Sequence, residues 1–249
     1  MSGHSKWHSI KHKKGAADAK RGKLFTRIIK ELTVAARHGG GDPDMNPRLR
    51  TVIADAKAAN MPADNIKRAI RRGTGEEPGV SYEEVTYEGY GPGGAAVFLE
   101  VLTDNKNRAV GEIRHALTKH GGNLGSSNSV AWMFDKRGYI LVEQDSAEEE
   151  TLMTVAIEAG ADDFRDEDGS WEIISSPETF DAVAEAIRGL GVEPSAAQVA
   201  MLPQNLVALE GKPAQQMVRL LNALEDLDDI RHVWSNADIG EEEVEASLA

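Results

Sequence analysis

The chain has 249 residues, and its hydrophobic fraction of 41% and charged fraction of 28% are typical of globular proteins with two or three domains. No apolar run approaches the ~18 residues of a membrane span, and no apolar segment of a secretory signal follows the basic N-terminus, so we expect no membrane contact and a cytoplasmic location. The absence of cysteine excludes disulfides, thiolate metal sites and a cysteine nucleophile.

The formal net charge of −13 conceals a strong segregation of charge along the chain. Residues 1–75 contain 17 Lys or Arg and six Asp or Glu, whereas the remainder contains 11 basic and 35 acidic side chains. Solubility does not require the two signs to separate. The pattern therefore indicates that the N-terminal part binds a polyanion and that the acidic remainder confines this binding to one end.

The N-terminal part begins with a predicted flexible tail, since the first 22 residues combine Gly, Ser and His without apolar periodicity. A helix is predicted for residues 23–38, because apolar side chains from Leu24 to Ala36 recur at helical spacing. Basic side chains fall on nearly the opposite face, which we expect to stay free. They are Lys20, Lys23, Arg27 and Lys30.

Two further helices complete a basic three-helix domain. A Gly-rich loop ends the first helix, and a second helix is predicted for residues 47–60. The third helix follows Pro62, which suits a first helical turn, and Gly73 closes it. Its outward side chains are Lys67, Arg68, Arg71 and Arg72.

From residue 82 the pattern changes to α+β. Alternation on both sides of "GPGG" predicts a β-hairpin, followed by a helix capped by Asp104 or Asn105. Two strands are predicted about residues 136–138. Three helices follow, at residues 148–158, 178–190 and 213–224. Strands are predicted at residues 162–164, 171–174, 198–201 and 231–235. This order suits two ferredoxin-like βαββαβ domains, with residues 240–249 as a frayed acidic tail.

Motifs for catalysis and cofactors are weak. "GYGPGGAA" lacks the Lys-Ser/Thr of a phosphate-binding loop and lies between strands, so it predicts a hairpin turn. His4, His8 and His12 are spaced by four, but no helix is expected in so glycine-rich a tail, and we expect no metal there. No combination of nucleophile, base and orienting group occurs. We therefore expect no enzymatic activity, no cofactor and no small-molecule substrate.

One alternative from another class stays open at this stage. Ferredoxin-like domains often bind small ligands, and a polar cluster of Asp104, Asn105, Asn107 and Arg108 lies beside the hairpin. This cluster would serve a ligand-binding or enzymatic module. A helix cap with an exposed first turn is the simpler interpretation.

The basic cluster predicts a nucleic-acid contact surface. Lys and Arg bind phosphates with strong, salt-dependent and largely sequence-independent affinity. Trp7 either stacks on an unpaired base or packs on the helical domain. The predicted contact residues are Lys6, Trp7, Lys11, Lys13, Lys14, Lys20, Arg21, Lys23, Arg27, Lys30, Arg48, Lys57, Lys67, Arg68, Arg71 and Arg72.

Several long motifs, in order over essentially the full length, resemble the YebC family of bacterial proteins, which includes a mitochondrial translational activator. The motifs that carry the resemblance include "GHSKW" (3–7), "KGAADAKRGKLFTRIIKEL" (14–32), "NPRLR" (46–50), "ANMPADNIKRAI" (59–70), "YEGYGPGG" (87–94), "TDNKNR" (103–108) and "SVAWMF" (129–134).

The resemblance implies three domains and a role in gene expression. An N-terminal helical domain would cover residues 1–80, a middle α+β domain would combine residues 81–130 with 204–249, and an inserted ferredoxin-like domain would cover residues 131–203. Family members are commonly described as DNA-binding transcriptional regulators. Mitochondrial relatives indicate translation instead, and some bacterial members are linked to stalled ribosomes. The resemblance implies no catalytic residue and no cofactor.

Two nucleic-acid partners therefore stay open for an expected monomer. Duplex DNA requires a helix that reads bases in the major groove, usually within a dimer. Ribosomal RNA suits a basic, glycine-punctuated tail that threads into folded RNA and orders on binding. From the residues alone, RNA and the ribosome are slightly favoured over duplex DNA.

Overall fold

A computed structural model describes residues 19–167 and 169–248. Its first part, the helical region, consists of α1 (Ala19–Gly39), α2 (Pro47–Ala58) and α3 (Ala63–Thr74), which confirms the three predicted helices. Asn46 caps α2, because its side-chain oxygen accepts the N–H of Leu49. The amide of Asn46 also donates to the carbonyls of Ala35 and Gly40, which ties the loop before α2 to the end of α1.

The helical region has an apolar core of its own. Leu32, Leu49 and Ala56 are fully buried in it. Gly73 lets α3 approach α1 closely, because a Cβ at this position would lie 2.4 Å from the carbonyl oxygen of Thr33. One face of α3 is therefore fixed against α1, and its basic face is left outward.

The other described residues form ten strands and five helices. In chain order they are β1 (Glu83–Tyr90), β2 (Ala96–Thr103), α4 (Lys106–Lys119), β3 (Asn123–Leu124), β4 (Phe134–Glu143), α5 (Glu149–Glu158), β5 (Ala161–Glu167), β6 (Ser170–Ser175), α6 (Phe180–Gly189), β7 (Ala196–Pro203), β8 (Val207–Leu209), α7 (Gly211–Glu225), β9 (Ile230–Ser235), β10 (Ala237–Ile239) and α8 (Glu241–Leu248).

The first sheet has the strand order β3-β1-β2-β9, and all its neighbours are antiparallel. β1 and β2 form the predicted hairpin, with Tyr90 opposite Ala96 at the turn. β9 pairs with β2 although more than 120 residues separate them, with Val233 opposite Leu99. Helices α4 and α7 cover one face of this sheet and share its core.

The second sheet is antiparallel, has the order β5-β6-β4-β7, and lies in the chain between β3 and β9. The sequence β4-α5-β5-β6-α6-β7 is a βαββαβ unit with ferredoxin-like strand order. The first sheet differs in connectivity and strand order, because its hairpin β1–β2 precedes its first helix and forms the centre of the sheet. An N-terminal helical region followed by α+β domains confirms the predicted fold class, whereas the boundaries at residues 80, 130 and 204 stay a prediction.

Two expectations about secondary structure were wrong. Residues 134–143 form one strand, because Gly138 is placed by close packing: a Cβ there would lie 2.2 Å from Ser175 Oγ. The C-terminal segment is helix α8 with Val244 fully buried against the first-sheet core, so this segment packs although it is acidic. No helix in the described part of the chain is long and apolar enough to cross a membrane.

The sheets share an apolar core, whereas the helical region meets them through polar contacts. Phe98 and Trp234 of the first sheet pack with Phe134 and Tyr139 of the second. Within the described residues, no apolar cluster combines side chains of the helical region with side chains of the sheets. Polar junctions of this kind are typical of domains that move relative to each other.

Candidate nucleic-acid interface

The outward face of α3 carries an exposed basic row, made of Lys67, Arg68, Arg71 and Arg72. Arg71 pairs with Glu77 beyond the end of the helix, with Nε and Oε1 2.8 Å apart. Lys67 and Arg68 have no hydrogen bond or ion pair to any described residue, and the same is true of exposed Lys57 at the end of α2. Part of this surface thus offers cations that have no counter-charge within the described part of the chain.

The basic face of α1 lies in a different environment. Lys23, Arg27 and Lys30 contact the acidic segment, which we define as residues 225–229, at the C-terminal end of α7. Lys23 Nζ donates to the carbonyl of Asp226 at 3.0 Å and to its Oδ1 at 3.2 Å. Arg27 donates to the main-chain carbonyls of Glu225 and Leu227. The expectation that this face stays free is therefore wrong.

This face of α1 is occupied because the acidic segment attracts cations in two ways, through its main-chain carbonyls and through its acidic side chains. The last carbonyls of α7 lack partners within the helix and carry the negative end of its dipole. Four of the five residues in the segment are also acidic. Three cations at positions i, i+4 and i+7 of α1 match this array, which explains why they dock there.

Asp229 is the most buried charge of this contact, with 3% of the residue exposed. Its carboxylate accepts from Lys30 Nζ at 2.6 Å, Thr103 Oγ1 at 2.9 Å and Arg108 Nη2 at 2.7 Å. Burial by itself raises the pKa of Asp229, but the hydrogen bonds from Lys30, Arg108 and Thr103 outweigh it and hold that pKa below its ordinary value. Asp229 therefore stays ionised and joins α1, β2 and α4.

Arg48 lies in a second ionic junction between the helical region and the first sheet. Its Nη2 lies 3.1 Å from Glu31 Oε2 and 2.6 Å from Glu84 Oε1. Arg231 of β9 pairs with Glu31 as well, at 2.8 Å. Hydrogen bonds from Arg48 lower the pKa of Glu84, although burial acts in the opposite direction. Glu31 and Glu84 therefore neutralise the charge of Arg48 within the molecule.

The structure thus divides the predicted contact residues. Lys57, Lys67, Arg68, Arg71 and Arg72 are exposed, whereas Lys23, Arg27, Lys30 and Arg48 are engaged within the molecule. The predictions for Lys6, Trp7, Lys11, Lys13 and Lys14, and those for His4, His8 and His12, lie outside the described residues, as do the side chains of Lys20 and Arg21.

Sequence reasoning missed the partners of α1. Asp226 and Asp229 were not singled out, although "EDLDD" directly after an amphipathic helix is an acidic run at a helix C-terminus. That signal identifies a site for cations, since acids and unpaired carbonyls coincide there. It does not identify which cations of the chain reach it.

The polar cluster of the ligand-binding alternative belongs to the same junction. Asn105 caps α4 by accepting the N–H of Arg108. Arg108 in turn pairs with Asp104 and with Asp229. "GPGG" is the turn of the β1–β2 hairpin, with Pro92–Gly94 as a short 3-10 helix. Among residues 19–167 and 169–248, no group of three or more His, Cys, Asp or Glu is arranged to hold a metal ion.

Comparison with known proteins covers almost the whole chain. The family profile described as "TACO1/YebC protein N-terminal domain" matches residues 5–76, and the profile "TACO1/YebC second and third domain" matches residues 82–237. A protein of Desulfosudis oleivorans named "Probable transcriptional regulatory protein" is 61% identical over 246 residues, which cover 99% of this chain and 100% of that protein.

Two other proteins extend the comparison. An Acidobacterium capsulatum protein of the same name is 62% identical over 239 residues, covering 96% of this chain and 97% of its own. The crystal structure of a conserved hypothetical protein from Aquifex aeolicus is similar with a TM-score of 0.83 and 48% identity, and covers 93% of this chain and 96% of that one.

Proposed function

This chain belongs to the TACO1/YebC family, and we propose that it is a non-enzymatic regulator of gene expression that binds nucleic acid through residues 1–75. The observation that carries the proposal is the outward row of α3, where Lys67 and Arg68 are exposed and have no counter-charge among the residues that the structure describes. The relatives' name of probable transcriptional regulatory protein supports a regulatory role.

Within this function we favour RNA, and the ribosome in particular, over duplex DNA. A recognition helix in the major groove contacts base edges mainly with its N-terminal residues. The first turn of α3 carries Ala63, the acidic Asp64 and Asn65, and its cations come later in the helix. This arrangement suits phosphate contacts, which need no base reading, and the basic residues 6–23 suit insertion into folded RNA.

Duplex DNA is the second candidate, and one feature favours it. Only residues 59–62 separate α2 from α3, and α3 presents its basic face outward after this short turn. Two helices joined by a short turn are typical of DNA-binding helix-turn-helix motifs. A regulator of this kind would act as a dimer with defined half-site spacing.

The finer features of the proposal follow the resemblance. We propose a cytoplasmic monomer with domain boundaries near residues 80, 130 and 204. The continuity of β4–β7 in the chain and the pairing of β2 with β9 support an inserted domain at residues 131–203.

The test is a double charge reversal, Lys67→Glu with Arg68→Glu, in the full chain. We expect loss of RNase-sensitive co-sedimentation with ribosomes. For a fragment of ribosomal RNA, the slope of log K against log[salt] should correspond to about two fewer released counterions than in wild type. The matched control is Arg114→Glu with Lys119→Glu, two exposed residues of α4 that change the net charge equally.

Two results would overturn the proposal. The first is that the α3 variant binds as tightly as wild-type protein. The second is that the α4 control loses binding to the same extent, which would show that net charge alone causes the loss. The partner is decided by competition at physiological salt. Tighter binding to one duplex sequence than to random duplex, with no preference for ribosomal RNA, would favour the DNA candidate.

A further inference from the structure

The contact between α1 and the acidic segment resembles a protein–phosphate contact. Lys23, Arg27 and Lys30 follow each other along one face of α1, and each donates to main-chain carbonyl oxygens of residues 225–228. Lys23 and Lys30 also bind carboxylates. A row of oxygens with carboxylates beside it is the same kind of partner that a nucleic-acid backbone offers to Lys and Arg.

The strength of this contact changes along α1. The outer pair, Lys23 and Asp226, is exposed on both sides, with 45% and 72% of the side chains accessible. The inner pair, Lys30 and Asp229, is almost fully buried. Exposed pairs are weak and screened by salt, whereas separating a buried pair leaves uncompensated charge. The Lys23 contact therefore exchanges partners far more readily than the Lys30 contact, and half-buried Arg27, bonded to two carbonyls, lies between them.

We propose that the acidic segment is a built-in competitor for nucleic acid on α1. In the closed molecule it occupies Lys23 and Arg27, and nucleic acid that contacts α3 displaces it from these two residues, while Lys30 and Asp229 remain paired as the pivot. This proposal rests on the proposed function, since it assumes that α3 contacts nucleic acid, and it adds a regulated second contact.

The surrounding structure permits such an opening. The helical region shares no apolar cluster with the sheets among the described residues, so displacement exposes little apolar surface. The connection from α3 to β1 passes through Gly75, which has a positive φ of 84°, and Gly79. Because one set of cations cannot serve carboxylate and phosphate at once, binding and closure oppose each other through linkage.

The test is the double variant Asp226→Asn with Asp228→Asn, which removes two exposed negative charges from the acidic segment. We expect the full-length variant to bind a fragment of ribosomal RNA about fivefold more tightly or better, with a salt slope steeper by about two ions as Lys23 and Arg27 join the contact. The control, Glu149→Gln with Glu150→Gln on α5, changes net charge equally at an exposed site. Adding Lys23→Gln and Arg27→Gln to the first variant should abolish the gain.

The outcomes separate this inference from the function on which it rests. If the α3 charge reversal abolishes binding but the Asp226/Asp228 variant binds like wild type or like its control, only the competitor is refuted. A gain that persists without Lys23 and Arg27 also refutes it. If wild-type protein binds neither RNA nor duplex DNA, the proposed function itself fails.

A second measurement applies to the protein without acid substitutions. The chain has no cysteine, so spin labels at Leu24→Cys in α1 and Arg219→Cys in α7 would be unique. Both positions are exposed. We expect the distance between the labels to increase when the RNA fragment is added. An unchanged distance in a complex with RNA would overturn the proposal.

Discussion

The basic faces of α1 and α3 are alike in sequence and opposite in environment. Each presents Lys and Arg on the side of the helix away from the apolar residues. On α3 the row is exposed, and Lys67 and Arg68 have no described partner. On α1 the row meets the acidic segment, and Lys30 retains only 7% exposure. Charge pattern alone therefore does not distinguish a ligand-binding surface from an internal junction.

The difference lies in how each helix is held. α3 is fixed by close packing on α1 at Gly73, which does not involve its basic face. α1 is fixed to the sheets by the charges themselves. Substitutions should therefore affect stability at α1 and binding at α3, and the following predictions test this contrast.

The largest effect is expected at the buried end of the α1 contact. Asp229→Ala leaves Lys30 buried without its carboxylate partner, and should lower the free energy of unfolding by about 3–5 kcal/mol. Asp226→Ala in the same segment removes an exposed pair and should cost about 1 kcal/mol or less. Urea unfolding followed by circular dichroism measures both. Equal losses would contradict the view that burial sets the strength of the contact.

A steric substitution tests how α3 is held. In Gly73→Ala the new Cβ would lie 2.4 Å from the Thr33 carbonyl and 2.7 Å from Ala36 Cβ, so we expect a loss of about 1–3 kcal/mol. Gly111→Ala is the matched control, because that helical glycine has no neighbour within 4 Å of the added Cβ. It should stabilise α4 by about 0.5–1 kcal/mol. Thermal unfolding of both variants checks the opposite signs.

The pH dependence of stability examines the same junction. Asp229 has a folded-state pKa below its unfolded value of about 3.9. It therefore contributes stability above that value, and the contribution is lost as pH falls through the folded-state pKa. Unfolding free energy should drop more steeply below about pH 4 in wild-type protein than in Asp229→Asn. Identical slopes would show that Asp229 does not carry this dependence.

The smallest change in stability is expected on α3. Lys67→Ala and Arg68→Ala remove exposed side chains without described partners, so the free energy of unfolding should stay within about 0.5 kcal/mol of wild type. Binding of a ribosomal RNA fragment should nevertheless weaken in both variants. A marked loss of stability would place these residues in a structural role and erase the contrast with α1.

Much of the fold could be predicted because its signals are local. Helical spacing located all three N-terminal helices, and alternation around "GPGG" located the β1–β2 hairpin. Gly138 was misleading, since a glycine placed by contact with Ser175 and Phe180 looks the same in sequence as a glycine placed by a turn. Helix α8 was missed because its contacts are long-range: Val244 packs against a core built from distant parts of the chain, and Glu243 accepts the N–H of Gly211.

The sequence by itself determined the family, the order of the first seven helices and the concentration of positive charge in residues 1–75, since these depend on residue identity and short-range spacing. The tertiary structure decided which of those charges are available. Long-range packing brings residues 225–229 to Lys23, Arg27 and Lys30, about 200 positions away in the chain, and brings Glu84 to Arg48. Because a charge binds whichever opposite charge the fold places beside it, no periodicity in α1 could have revealed that its basic face was occupied.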